Sequence, residues 1–171
     1  EEILEKLSDN KFVAVVGTSG SGKSSLMYCG VLPILHAGFV HGAGSNWEII
    51  TTRPGAGPIA NLAESILQNK SEYSKENDKY TEELALNIAV LRSSSNGLID
   101  IVNQFEKDKN ILIVVDQFEE LFRYKNSQDK NAINESVAFV KLLLNAVKDT
   151  NSKIYVVITM RSDFIGDCAQ F

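Results

Sequence analysis

Cysteine is nearly absent. Cys29 and Cys168 stand far apart with no CxxC spacing, which excludes a disulfide framework and a cysteine zinc site. Two reduced thiols in a cytoplasmic protein are the expectation. Histidine is as scarce: His36 and His41 lack metal-ligand spacing and read as a helix-end and a loop residue. No apolar run exceeds five residues, whereas a membrane helix needs about 20. The acidic opening Glu1-Glu2 is not the basic, then apolar, start of a signal peptide. Basic residues do not dominate either. Lys and Arg number 17 against 22 Asp and Glu, so a net charge of −5 argues against a broad nucleic-acid footprint. There is no internal repeat, and no low-complexity segment beyond the short run Ser93-Ser94-Ser95.

What is present is an ordinary globular composition. Hydrophobic residues make up 44% of the 171, enough for one domain with a real core. Helical spacing at Ile3, Leu4 and Leu7 suggests an entering helix. Four short segments read as strands: Phe12–Val16, Trp47–Thr52, Ile111–Val115 and Lys153–Thr159. They are bounded by polar residues and glycine, as strands buried on both faces of a parallel sheet are. Between them, apolar spacing of three and four predicts helices over Lys23–Leu35 (with Gly30 and Pro33 weakening its end), Ile59–Gln68, Glu82–Arg92, Leu98–Phe105 and Asn131–Lys148. A further helix begins within Asp163–Gln170, and Asn96 is a plausible N-cap. Asn69–Lys79 reads as an exposed linker and Trp47 as core. Alternating strands and helices predict an α/β fold, a mainly parallel sheet with helices on both faces.

The chemistry is concentrated after the first strand. Gly17-Thr18-Ser19-Gly20-Ser21-Gly22-Lys23-Ser24 matches G-x-x-x-x-G-K-[ST]. Glycines let successive N–H groups point inward around an anion, and the following helix adds its own N-terminal N–H groups. Lys23 suits the β- and γ-phosphates, and Ser24 offers a hydroxyl to Mg²⁺. A chance match in a chain this long occurs on the order of one time in a hundred. Placement between a buried strand and a helix lowers those odds further. With Ser25, residues 17–25 form the expected nucleotide-binding set.

A second element supports the first. Ile111–Val115 delivers Asp116 to the C-terminal edge of the sheet, where ligands of α/β folds bind. There it is expected to hold Mg²⁺ through water. ATPases of this type commonly place a second carboxylate directly after that Asp, to orient the attacking water. Here the position holds Gln117, which cannot accept a proton as a carboxylate does. Glu119 and Glu120 follow, and either serves if the chain turns back over the site, with Glu119 slightly favoured. Of only four arginines, Arg53 and Arg161 lie just past strand ends, facing the nucleotide crevice. Arg161 is expected to contact the γ-phosphate or sense its loss; a structural ion pair is the other reading of each. Thr159 is a candidate hydrogen-bond partner of the attacking water. No arginine-rich lid marks a small-molecule kinase, and no LSGGQ-like segment marks a transporter ATPase.

These blocks, with Gly30-Val31-Leu32-Pro33, Arg53-Pro54-Gly55, Asp116-Gln117-Phe118-Glu119-Glu120-Leu121-Phe122 and Thr159-Met160-Arg161-Ser162-Asp163-Phe164, together resemble a known family. The chain resembles the STAND class of P-loop ATPases, and most of all the novel STAND branch often found upstream of WD-repeat β-propellers in bacteria. The resemblance implies a three-layer P-loop NTPase sandwich with sheet order 5-1-4-3-2. Residues 1–171 are then expected to be a partial core cut before the fifth strand, with 59–109 a helical insertion between the second and third strands. It also implies an ATP-driven switch: Mg-ATP holds an active form, often a homo-oligomer, and a downstream sensor domain, possibly a β-propeller, reads the signal. Lys23, Ser24, Asp116 and Arg161 take the phosphate, metal and sensor roles. The acid displaced beyond Gln117 is similar to the NACHT branch, which strengthens Glu119 or Glu120 without choosing between them.

Overall fold

The structure is a computed structural model that describes residues 2–37, 46–69, 78–105, 108–124 and 129–170. His41 and most of the expected linker at 69–79 lie outside the described residues. Four strands form one parallel sheet: β1 (Phe12–Gly17), β2 (Trp47–Thr52), β3 (Asn110–Val115) and β4 (Ile154–Arg161). Their order is β1-β4-β3-β2, with every neighbouring pair parallel. This is the α/β architecture that the alternation predicts, in the order the resemblance implies for these four strands.

The central strand β3 is apolar because both of its faces are covered. Along β3, Ile111, Ile113 and Val115 enter one core, and Leu112 and Val114 enter the other. That is the two-residue alternation of a strand with no face left for water. On the first face lie α4 (Pro58–Asn69), α5 (Asp78–Ser93), α6 (Gly97–Val102) and α7 (Lys130–Lys148). Leu62, Ile66, Leu98, Phe139 and Leu143 from these helices are buried against the sheet. Leu4 and Leu7 of α1 (Glu2–Asp9) cover the other face, together with the helical segment after β1. Three layers result. Among the described residues, no helix is long and apolar enough to cross a membrane.

The helix expected over Lys23–Leu35 is present but not uniform. A short α2 (Lys23–Ser25) opens into a π-helical stretch, Leu26–Val31, and closes again as α3 (Leu32–His36). Pro33 accounts for the widening. Its ring would clash with the carbonyl of a preceding α-turn, and its nitrogen has no proton to give. The π turn just before it, closed by Leu32 N–H to Met27 O, lets the helix run on to His36 instead of ending. Met27, Val31 and Leu35 are buried along the way.

Local signals explain the other ends. Asp129 caps α7, its Oδ1 accepting from Asn131 N at 2.9 Å and Ala132 N at 3.3 Å. Asn96 stands before α6 but makes no side-chain cap, because its backbone is already helical at φ −95°, ψ −2°. Its Oδ1 instead accepts from Asn145 Nδ2 of α7 at 3.4 Å. Trp47 is buried, as expected.

Candidate functional site

Strand register brings the sequence-predicted residues to one edge. Gly17, the last residue of β1, lies opposite Arg161 of β4, and Thr52 of β2 opposite Val115 of β3. Asp116, one step further, donates its N–H to Thr52 O at 2.9 Å. Four strand ends therefore meet at the C-terminal edge, where α/β sheets bind ligands.

The phosphate loop bridges β1 and α2. Gly20 and Gly22 have φ of 74° and 80°, left-handed conformations that other residues adopt only at a cost. A Cβ placed on Gly17 would stand 2.7 Å from Ser21 Oγ, so a side chain there would make that hydroxyl turn aside. Lys23 folds into its own loop: Nζ donates to Gly17 O at 3.0 Å and Thr18 O at 2.7 Å. Those carbonyls keep the ammonium within the loop.

Asp116 is the electrostatic centre. The residue is fully buried. Its Oδ1 accepts from Ser24 Oγ at 2.8 Å and Thr159 Oγ1 at 2.6 Å. Its Oδ2 accepts from Arg53 Nε at 3.2 Å and Nη2 at 2.8 Å. Burial pushes the carboxyl upward, but the hydrogen bonds from Thr159, Ser24 and Arg53 outweigh it and hold the group below its ordinary range. Ser24 and Asp116, separated by 92 positions, are thus in direct contact, as the motif reading requires. Thr159 lines the cleft beside the loop. Its single proton goes to Asp116, and its oxygen accepts from Gln117 N at 3.1 Å. It anchors the acid.

Gln117 has φ 58°, and among the described residues it is the one non-glycine with positive φ. This left-handed step turns the chain sharply after β3 into a 3-10 segment, Phe118–Tyr124. As a result Glu119 swings back over the site, its Oε2 accepting from Arg161 N at 3.3 Å. Glu120 points away. Its Oε2 accepts from Gly55 N at 2.9 Å in the turn after β2, and Arg123 lies 3.6 Å from Oε1. The two adjacent acids therefore differ in place, with Glu119, the one slightly favoured from sequence, on the side of the cleft.

Arg161 forks onto Asp163, Nε to Oδ1 at 3.1 Å and Nη2 to Oδ2 at 2.6 Å, and its guanidinium lies 5.3 Å from the Phe164 ring centre. The pair strengthens both charges: hydrogen bonding and Coulomb attraction raise Arg161, and hydrogen bonding lowers Asp163. A cleft of about 300 Å³ is lined by Gly20, Lys23, Ser24, Gln117, Glu119 and Arg161. Glu120 is not part of it. An ion pair is the other reading the sequence offers for Arg53 and Arg161, and both form one; their partners, Asp116 and Asp163, depend on side-chain directions that spacing does not carry.

The donor set suits a hard cation. Ser24 and Asp116 supply oxygen ligands, which Mg²⁺ prefers. Among the described residues no group of three or more His, Cys, Asp or Glu is placed to hold a metal alone.

No curated protein sequence matches the chain. Among solved structures it is similar to the pCW3 conjugation coupling protein TcpA, in its monomer form with ATPgS. The identity is 19% and the TM-score 0.44, over 90% of this chain and 43% of that one. The chain therefore spans less than half the length of that protein. The family model for Novel STAND NTPase 1 matches residues 1–171. With a strand-bounded phosphate loop and a buried acid meeting at one sheet edge, the chain belongs to this family of nucleotide-binding NTPases.

Proposed function

We propose that this chain is the ATP-binding and hydrolysing regulatory module of a larger signal-transduction ATPase, with Mg-ATP at the phosphate loop as its conformational switch. The observation that carries the reading is the contact between Ser24 of the loop and the buried Asp116. In it, backbone N–H groups of residues 17–25 and the Lys23 ammonium hold the phosphates. Ser24 and Asp116 hold Mg²⁺, Asp116 through water, and the ion when bound neutralises charge developing on the phosphates. Glu119, which lines the cleft, orients and polarises the attacking water. Arg161 leaves Asp163 to meet the γ-phosphate. Glu120 braces the turn after β2 rather than joining the chemistry.

The switch reading extends to a sensor domain elsewhere in the parent protein and to a homo-oligomer in the ATP-bound state. Family membership supports it. Gln117 favours a second reading, a nucleotide-dependent scaffold with negligible turnover, because the position after Asp116 carries no proton acceptor.

The test is phosphate release and nucleotide affinity in the full-length protein carrying Asp116→Asn with Glu119→Gln. Binding kept and hydrolysis stopped is the expected result. Undiminished phosphate release would remove both residues from their roles. Absence of turnover in the unsubstituted protein would favour the scaffold.

A further inference from the structure

Arg53 does something the motif does not explain. Asp116 is buried, with both carboxylate oxygens engaged. Oδ1 takes two hydroxyl protons from within the site. Oδ2 is held by one cation, the Arg53 guanidinium, through Nε and Nη2 together. A buried carboxylate needs a compensating charge, and here an arginine supplies it from the end of the neighbouring strand. A divalent ion at the same acid would supply that charge again, so two cations compete for one carboxylate.

The surroundings allow the arginine to leave. Its side chain is 57% exposed, while that of Asp116 is 1% exposed. It borders a second, polar cleft of about 340 Å³, lined also by Tyr28, Thr52, Asn61 and Glu64. The turn that carries it is tied down elsewhere. Asn61 Nδ2 donates to Arg53 O at 3.2 Å and Pro54 O at 2.9 Å, and Gly55 N donates to Glu120. The side chain is therefore the movable part of an anchored turn.

We propose that Arg53 is a positioning residue that occupies Asp116 as a placeholder cation and is displaced when a nucleotide-borne divalent ion arrives. The inference rests on the Mg²⁺ reading of Ser24 and Asp116 above. It makes the strand-end arginine a competitor of the metal: the acid stays ionised and correctly placed in the nucleotide-free state, and Mg²⁺ affinity is lower than the bare site would give.

The experiment compares ATP affinity by calorimetry in Mg²⁺ and in EDTA, for the full-length protein and for Arg53→Met and Arg53→Lys. Thermal unfolding in EDTA without nucleotide is measured alongside. With the guanidinium gone, the factor by which Mg²⁺ improves ATP affinity should rise about tenfold, the equivalent of one charge-assisted hydrogen bond. Arg53→Lys, which keeps a point charge without the planar fork, should fall between. Thermal stability without nucleotide should drop in Arg53→Met and recover when Asp116→Asn is added. A merely structural arginine would lower stability and leave the Mg²⁺ factor unchanged, and that result overturns the placeholder. No Mg²⁺ effect in the unsubstituted protein overturns the metal reading, and the placeholder with it.

Discussion

Thr159→Val is nearly isosteric and strikes the anchor of the site. The hydroxyl donates to the buried Asp116 carboxylate at 2.6 Å and accepts the Gln117 N–H at 3.1 Å. A hydrogen bond to a charged group contributes about 1.5–3 kcal/mol, and the bond from the half-buried Gln117 N–H about 0.5–1.5 kcal/mol. The added methyl returns about 0.8 kcal/mol. The expected net loss is about 2–3 kcal/mol, read as a lower urea midpoint with an unchanged slope. Thr159→Ser keeps the hydroxyl and should lose only about 0.8 kcal/mol for its missing methyl.

The same change has a pH signature. Because the Asp116 carboxyl is held below its ordinary range, its stabilising contribution is complete above about pH 4 and is lost as pH falls through the folded value. Removing the Thr159 donor raises that folded value, so acid unfolding should begin at higher pH. A valine variant no less stable than the serine one, with an unmoved acid limb, would refute the reasoning.

Two further outcomes follow from the turn after β3. Gln117→Gly should hold stability or raise it by up to about 1 kcal/mol by relieving the left-handed backbone, while Gln117→Val should cost about 1–3 kcal/mol; thermal midpoints of the pair check the sign. Glu120→Ala should cost about 0.5–1.5 kcal/mol by removing the acceptor of the half-buried Gly55 N–H yet leave phosphate release per folded molecule unchanged, a result that a hydrolytic Glu120 would reverse.

Elements set by apolar runs were legible in the sequence. Strand boundaries match within a residue or two, since a strand buried on both faces must be apolar along its length and stop at a polar end. The glycine-rich turn between β1 and α2 was legible because its residues are contiguous in the chain. The helix over Lys23–Leu35 was legible despite Pro33, but the π turn that carries it past the proline was not. Gln117 reads as an acid that is missing, whereas its backbone angle is its contribution. The Arg53–Asp116 pair spans 63 positions, and only the register of β2 against β3 brings it together. Glu119 was only slightly favoured over Glu120 until that same turn assigned them opposite directions.

The central claim is that residues 17–25 hold the phosphates of ATP. Its most direct test is calorimetry of Mg-ATP binding to the full-length protein and to Lys23→Ala. Saturable binding is expected in the first and none in the second. Unchanged affinity in Lys23→Ala would contradict it.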